Sequence, residues 1–211
     1  MCPKGLPEYP APGQFPAYQA CLTATHAGAA IAPSDQRQLI RLAHNRPESS
    51  LPQLSLHTPV GDITLSEEDG SIVALDWGWG RDQTPTPTLV EARQQLQAYF
   101  DGELTHFNLG LAPFGTPYRK RVWQALIDIP SGETRTYGQL AAIAGGSARS
   151  VGTAMSTNPI AILIPCHRIV ATNGPGGYSG GDGLPTKHFL LALEQRTARL
   201  PPTAQTRLEL I

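Results

Sequence analysis

The spacing of apolar residues changes from alternation to helical periodicity after about residue 76, and this change limits the possible folds more than any other sequence feature. In residues 54–58, 63–65 and 72–76, apolar and polar residues alternate, and the turn sequences PVGD and DG separate these runs. Alternation of this kind indicates strands with one buried face. From residue 88 onward the apolar residues recur at helical spacing. The sequence therefore predicts a small antiparallel meander followed mainly by helices, an α/β (α+β) fold.

Local signals place the expected helices and one further strand. A first helix fits residues 88–101, ending at Gly102, and a second begins at the Thr-Pro pair of 116–117, an N-cap followed by a proline. TYGQLAAIAG (136–145) opens with a capping box of Thr136 and Gln139, and SARSVGTAMSTNP (147–159) forms the next helix. We also expect a short helix at 34–44, a strand over AILIP (161–165) and a last helix from about residue 185 through FLLALE.

Two short helices joined by a glycine-containing turn form the helix-turn-helix pattern, although an ordinary helical hairpin shares it.

The predicted organisation has four parts. Residues 1–50 form a Pro-rich extension, partly disordered, and 51–108 form a sheet-plus-helix domain. Residues 109–195 form a helical, winged helix-turn-helix-like domain for DNA binding and catalysis, and 196–211 form a tail.

Charge and cysteine content narrow the function classes. The 211 residues carry a net charge of −1, which excludes a strongly basic, histone-like protein. Residues 1–103 hold 6 basic and 12 acidic residues, whereas residues 104–211 hold 10 basic and 5 acidic ones. Either the second half binds a polyanion, or the asymmetry is ordinary variation of surface charge. Three cysteines cannot build a disulfide framework, and neither a membrane span nor a secretory signal is recognisable. We therefore expect a cytoplasmic protein without membrane contact, associated with the nucleoid if it is bacterial and nuclear if it is eukaryotic.

Cys166 is the candidate nucleophile. A lone cysteine is most often a small buried hydrophobic residue. Here it follows Pro165, which must end the expected strand, so that the thiol can face a pocket at the strand terminus. His167 and Arg168 can both lower the pKa of the thiol, and the thiolate is the form that attacks. Because neighbouring residues of a strand point to opposite sides, His167 would act through a water or a bend.

Several motifs together show a family resemblance. IPCHRIV is preceded by TYGQLAAIAG and ARSVGTAM and followed by GGYSGG and KHFLLALE. In this order and near this spacing they resemble the 6-O-methylguanine-DNA methyltransferases (methylated-DNA–protein-cysteine S-methyltransferases). The resemblance covers about 116–195 closely, and the meander looks like the family's N-terminal domain. Ala161 departs from a proline common in relatives, and the GGSAR connection is short, but the core motifs are intact.

The resemblance implies a single-turnover DNA repair protein, a suicide enzyme. It would transfer the alkyl group of 6-O-alkylguanine, and also of 4-O-alkylthymine, irreversibly to its own cysteine, without a cofactor. The implied partner is double-stranded DNA carrying alkylated guanine, bound by a monomer that flips the base from the minor-groove side.

The resemblance also implies roles for single residues. It implies a relay in which Cys166 is the nucleophile, a water connects it to the base His167, and Glu194 orients that base. Tyr137 would donate its hydroxyl to the flipped guanine. Arg149 would enter the base stack. The other residues implied to contact DNA or the base are Asn158, Tyr178, Ser179, Ile169, Ser147, Ala148 and Gly152. No metal site is expected. The four-cysteine zinc module of some bacterial relatives cannot form with only Cys2 and Cys21 in the N-terminal part, and the pair Cys21 and His26 supplies only two ligands.

Three other functions compete with this interpretation. An alkyltransferase-like binding module would keep the fold and the arginine but replace the nucleophile, and the presence of Cys166 opposes it. A thiol hydrolase would use the same Cys, His and acid, but no oxyanion-hole motif is recognisable. A plain winged-helix regulator would leave the cysteine incidental.

Overall fold

A computed structural model of the protein describes residues 51–199. The Pro-rich extension, the expected helix at 34–44 and the chain beyond 199 lie outside the described residues. Within the described part, none of the helices has both the length and the apolar character that a membrane crossing requires.

The alternating segments form the predicted antiparallel meander. β1 (Gln53–Thr58), β2 (Gly61–Glu68) and β3 (Ser71–Trp77) pair in the order β1-β2-β3, with a register shift at Ser66/Glu67. Chain from the second half covers part of the free edge of β3, because the backbone N–H of Leu75 donates to the carbonyl oxygen of Pro159 at 2.8 Å. The sheet thereby contacts the segment that leads to Cys166.

The first helix, α1, runs over Pro87–Asp101, within one residue of its predicted start. Thr86 caps its N-terminus, and Gly102 ends it in the left-handed conformation at φ 78°. Its buried side packs on the sheet and consists of Leu89, Ala92, Leu96, Tyr99 and Phe100. Because Tyr99 belongs to this side, its hydroxyl is directed into the interior of the protein.

The second half is built from short capped helices, as predicted. α2 (Pro117–Ile127) is capped by Thr116, α3 (Tyr137–Ala144) has the capping box of Thr136 and Gln139, and α4 is Ala148–Ser156. α3 and α4 form the helix-turn-helix pair, joined through Gly145 and Gly146, which both have positive φ. A short parallel pair, β4 (Arg135–Thr136) and β5 (Ile169–Val170), connects the start of α3 to the chain that follows Cys166.

The predicted strand over 161–165 is wrong. Residues 160–165 form a buried turn, in which the N–H of Ile164 donates to the carbonyl of Ile160 at 2.9 Å and Ile162 has φ 72°. The run is apolar because it is buried, and a short apolar run does not by itself distinguish a strand from a buried turn. Cys166 therefore lies on a 3₁₀ turn, Cys166–Arg168, and not at the end of a strand.

The last helix, α5, extends over Leu184–Ala198. It begins one residue before Pro185 and continues three residues into the predicted tail, because Thr197 is buried and its hydroxyl donates to the carbonyl of Leu193. α5 packs against the 3₁₀ turn and carries both Lys187 and Glu194 on its buried side.

Candidate active site

Cys166 lines an open cavity of about 250 Å³. The walls come from the start of α3, from α4 and from the glycine-rich loop before α5; the lining residues are Tyr137, Gly152, Met155, Ser156, Cys166, Gly177, Tyr178 and Ser179. Five residues implied by the sequence, namely Cys166, Tyr137, Gly152, Tyr178 and Ser179, thus share one cavity. Its two tyrosine rings and its thiol suit a flat aromatic ligand that carries an electrophilic carbon.

Glycine is required in the loop that forms one wall. A Cβ atom at Gly180 would lie 2.8 Å from Cζ2 of Trp77 and 2.9 Å from Cε1 of Tyr178. Both distances are too short for a side chain. The loop is therefore held between the end of β3 and the Tyr178 ring, which places Tyr178 and Ser179 at the cavity.

Burial raises the pKa of the Cys166 thiol, and a hydrogen bond with Asn158 and the charge of Lys187 oppose this only in part. His167 and Arg168, which were expected to lower this pKa, are not among the groups that do so, and the net shift is upward. Arg168 is turned away, since its guanidinium is bonded to Glu194 and to the carbonyl of Ile129. A thiol of this kind stays protonated at neutral pH and needs a base during attack.

His167 is fully buried, and its Nε2 lies 2.8 Å from Oε1 of Glu194. Burial lowers the pKa of His167, although the hydrogen bond and the charge of Glu194 raise it, and the net shift is downward. An ionised carboxylate only accepts hydrogen bonds, so Nε2 carries the proton. Neutral His167 therefore keeps its free lone pair on Nδ1, which is buried and has no hydrogen-bond partner among the described residues.

Glu194 is the most heavily hydrogen-bonded carboxylate of the site. Besides His167, its oxygens accept from Nε and Nη2 of Arg168, from the N–H of Gly132 and from the hydroxyl of Tyr99. Burial alone would raise the pKa of Glu194, but the hydrogen bonds from His167 and Arg168 and the charge of Arg168 outweigh it and hold the pKa well below its usual range. The carboxylate is ionised and fixed in orientation.

Asn158 ties the end of α4 to the turn that leads to the cysteine. Its Nδ2 donates to the carbonyl of Ile164 at 2.9 Å, and its Oδ1 accepts from the N–H of Ile160 at 3.1 Å. The side chain thereby holds the turn directly before Pro165 in place.

Lys187 is a buried ammonium group that the sequence reasoning missed. It lies in the quoted KHFLLALE motif, but nothing in a single lysine of a helix indicates burial. Its Nζ donates to the carbonyls of Ile169 and Gly177, so it joins the chain after Cys166 to the glycine loop. Burial lowers the pKa of Lys187, and Cys166 opposes the shift. The carbonyl of Ile169, one of the residues implied to contact the base, thus also accepts a hydrogen bond from within the protein.

α4 supplies one wall of the cavity and continues beyond it. Arg149 is exposed, and Gly152 and Ser156 follow it at i+3 and i+7, which places all three on one helix face. Ser147 is the N-cap of α4 and accepts from the N–H of Ser150, while Ala148 is exposed beside it. The face that borders the cavity therefore extends to an exposed arginine.

Sequence reasoning did not assign Tyr99 to the site, and it expected Arg168 to act on the thiol and not on Glu194. Arg168 stands in IPCHRIV, but its pairing with Glu194 across 26 residues has no sequence signal. Tyr99 lies outside the recognised motifs altogether. Within residues 51–199 no group of three or more His, Cys, Asp or Glu is arranged to hold a metal ion.

Two family models match the chain. The model described as "6-O-methylguanine DNA methyltransferase, ribonuclease-like domain" matches residues 54–113, and the corresponding "DNA binding domain" matches residues 117–196. Together they cover the sheet-plus-helix part and the helix-turn-helix part.

Curated relatives and solved structures agree with these models. A methylated-DNA--protein-cysteine methyltransferase of Methanosarcina barkeri is 42% identical over 155 residues, which are 68% of this chain and 97% of the relative. One of Mycobacterium leprae is 44% identical over 154 residues, 67% of this chain and 90% of the relative. The crystal structure of Mycobacterium tuberculosis O6-methylguanine methyltransferase has a TM-score of 0.64 at 38% identity, covering 73% of this chain and 98% of that one. A structure of Mycobacterium tuberculosis OGT in complex with DNA has a TM-score of 0.63 at 40% identity, covering 70% and 94%.

Proposed function

The chain belongs to the 6-O-methylguanine DNA methyltransferase family and is a methyltransferase that repairs DNA by direct alkyl transfer, and from that premise we propose that Cys166 accepts the alkyl group of 6-O-alkylguanine. One observation carries this assignment. The Cys166 thiol opens into a cavity with two tyrosines, and the next residue is a buried histidine oriented by an ionised glutamate.

The proposed reaction is an in-line displacement at the alkyl carbon. Sγ of Cys166 forms a bond to that carbon, and the bond from the carbon to the guanine oxygen breaks with its electron pair on the guanine. The thiol proton passes through a bridging water to Nδ1 of His167 and finally resides on the released guanine. The products are a thioether on Cys166 and an unmodified guanine, so atoms and charge balance, and each molecule reacts once.

The remaining site residues receive roles from their positions. Tyr137 lies at the cavity, where its hydroxyl donates to the base and stabilises it as a leaving group. Tyr178 and Ser179 line the cavity from the glycine loop. The carbonyls of Cys166 and Ile169 accept from the guanine amino group. Asn158 holds the turn that carries the cysteine.

DNA is bound through α4 and its surroundings. The alkyl carbon is inside the duplex, so the base must leave the stack before Cys166 can reach it. Arg149, exposed on the face of α4 that borders the cavity, fills the vacated space from the minor groove, and the small residues Ser147, Ala148 and Gly152 let the helix approach closely. The protein acts as a monomer in the cytoplasm, on 6-O-alkylguanine and also on 4-O-alkylthymine.

Intact-mass measurement tests the proposed function. Incubation with duplex DNA containing 6-O-methylguanine should add one methyl group to the wild-type protein. Cys166→Ser should add none, because the alcohol is a far weaker nucleophile than the thiolate. A methyl group on the Cys166→Ser protein would refute the assignment of the acceptor.

A further inference from the structure

Tyr99 lies in α1, in the sheet-plus-helix part of the chain, yet its hydroxyl donates a 2.8 Å hydrogen bond to Oε1 of Glu194. We propose that Tyr99 is a positioning residue of the alkyl-transfer reaction, which holds Glu194 and, through it, the His167 base. The proposal rests on the proposed function, because it adds a member to the same relay. It also gives the sheet-plus-helix part a direct contact with the reacting groups.

The position of the Tyr99 hydroxyl is fixed by packing. Only 2% of the residue is exposed, and its ring contacts those of Phe100 and Phe107, with centroids 5.3 and 5.2 Å away. A buried hydroxyl without a partner is costly, so the phenol and the carboxylate hold each other in one geometry. A side chain needed only to fill space would not require a polar end that meets the relay carboxylate.

Three residues donate to Oε1 of Glu194. The shortest bonds come from the Tyr99 hydroxyl at 2.8 Å, from Nε2 of His167 at 2.8 Å and from Nη2 of Arg168 at 2.9 Å, and Nε of Arg168 adds a longer one at 3.3 Å. Each donor takes up part of the negative charge, so the Tyr99 bond weakens the attraction of the carboxylate for a proton on His167. It also keeps the carboxylate from rotating away from the histidine. Without the hydroxyl, His167 would hold a proton more readily and be less often the free base.

The ionisable groups around the relay come from three elements and the cavity. His167 and Arg168 lie on the 3₁₀ turn, Lys187 and Glu194 on α5, and Tyr99 on α1. Cys166 and Tyr178 face the relay from the cavity side. Burial raises the pKa of Tyr99, and the charge of Glu194 raises it further, so the phenol remains a donor across the working range. His167 can be followed by itself through its ring signals in NMR spectra.

The test is Tyr99→Phe, which removes the hydroxyl and keeps the ring. Rates are measured with free 6-O-benzylguanine, so that DNA binding does not enter, and the His167 ring is titrated by NMR. We expect transfer at pH 7 to slow about three- to tenfold, since a hydrogen bond to a charged group is lost, and the His167 titration to move to higher pH. Tyr118→Phe is the matched control: it also removes a tyrosine hydroxyl, but one that is hydrogen-bonded to Oγ of Ser150 at 2.7 Å, so the His167 titration should not move.

A double-mutant cycle with Glu194→Gln shows whether Tyr99 acts through the carboxylate. In the Glu194→Gln background, Tyr99→Phe should have little further effect on the rate, because the relay is already broken. Full additivity would overturn the proposal, as would a Tyr99→Phe protein with the wild-type rate and an unmoved His167 titration.

A second variant covers the case in which Tyr99→Phe does not fold. Incorporation of 3-fluorotyrosine at position 99 retains the ring and makes the phenol a stronger donor, so the His167 titration should move to lower pH. No movement would overturn the proposal. A wild-type protein that transfers no alkyl group in the same assay would instead refute the proposed function, while the NMR titration would still test the coupling of Tyr99 to His167.

Discussion

Glu194 determines the protonation of the residue beside the nucleophile. Its carboxylate accepts from Nε2 of His167, so the lone pair of the ring faces away on Nδ1. Because burial raises the pKa of the Cys166 thiol, the reaction depends on this base more than the sequence suggested. The relay is thus the part of the site at which single substitutions should have the largest chemical effect.

We expect Glu194→Gln to slow transfer at pH 7 about tenfold or more, because a general base loses its orienting partner. The pH–rate profile should move upward, towards that of an unassisted thiol. The buried Arg168 also loses its charge partner, which costs about 3–5 kcal/mol of stability. Single-turnover rates across pH 6–10 are therefore compared at a temperature where circular dichroism shows a folded variant.

Glu133→Gln is the matched control, since Glu133 forms an exposed pair with Arg135. It should react like the wild type. A folded Glu194→Gln protein with the wild-type rate and an unchanged profile would make Glu194 a structural residue.

The buried His167 should also make folding sensitive to mild acid. Its pKa is lowered in the folded state, so below about pH 6.5 the unfolded chain binds more protons and stability falls. We expect the free energy of unfolding, measured by urea titration, to decrease from pH 7.5 to pH 5.5. His167→Asn should show a smaller decrease than the wild type. Equal slopes for the two proteins would contradict the assignment.

The sequence predicted which side chains come together but not their environment. The structure brings the predicted Cys166, Tyr137 and Tyr178 to one cavity and places His167 in contact with Glu194. The predicted influence of Arg168 on the thiol was wrong, because the direction of a side chain depends on the 3₁₀ turn that replaces the expected strand. Burial of Lys187 and the bond from Tyr99 to Glu194 depend on tertiary packing, which leaves no local pattern.

Among the elements, α4 combines a cavity wall with an exposed face. We expect Arg149→Ala to slow repair in duplex DNA by tenfold or more, about 1.4 kcal/mol in the activation barrier, because only the duplex requires the base to leave the stack. Reaction with free 6-O-benzylguanine should be nearly unchanged. Single-turnover rates on the two substrates provide the comparison, and equal losses on both would exclude a role in base flipping.

The capping residues predicted the starts of the helices closely. The structure of the short apolar segment 160–165, in contrast, could not be predicted from the sequence. Thr116, Thr136 and Ser147 act through local hydrogen bonds that can be recognised in sequence, and each begins a helix where predicted. Residues 160–165 form a turn because Asn158 and the edge of β3 bind it from outside. Such distant contacts are invisible in a single sequence.

For the whole molecule, the asymmetry of charge predicts which part meets DNA. We expect affinity for duplex DNA, measured by fluorescence anisotropy, to fall as salt concentration rises. Arg149→Gln should reduce the slope of log affinity against log salt by about one, whereas Arg81→Gln, the same change at an exposed residue of the sheet-plus-helix part, should leave it unchanged. A reversed pattern would place the DNA on the other half.

The sheet and the helical half are joined directly at the site. Leu75 bonds to Pro159, Trp77 packs on the glycine loop, and Tyr99 reaches Glu194. A change of periodicity predicts the division into domains. The sequence could not predict these three contacts, because each of them joins residues more than 80 positions apart.

The central claim is that Cys166 keeps the alkyl group, and a titration of label against protein tests it most directly. Duplex DNA carrying 6-O-methylguanine with an isotope-labelled methyl group is added in excess, and the bound label is counted and located by peptide mapping. We predict a plateau at one methyl group per protein molecule, all of it on the peptide that contains Cys166. Label on another residue, release of the methyl group as methanol, or continued turnover beyond one equivalent would contradict the account.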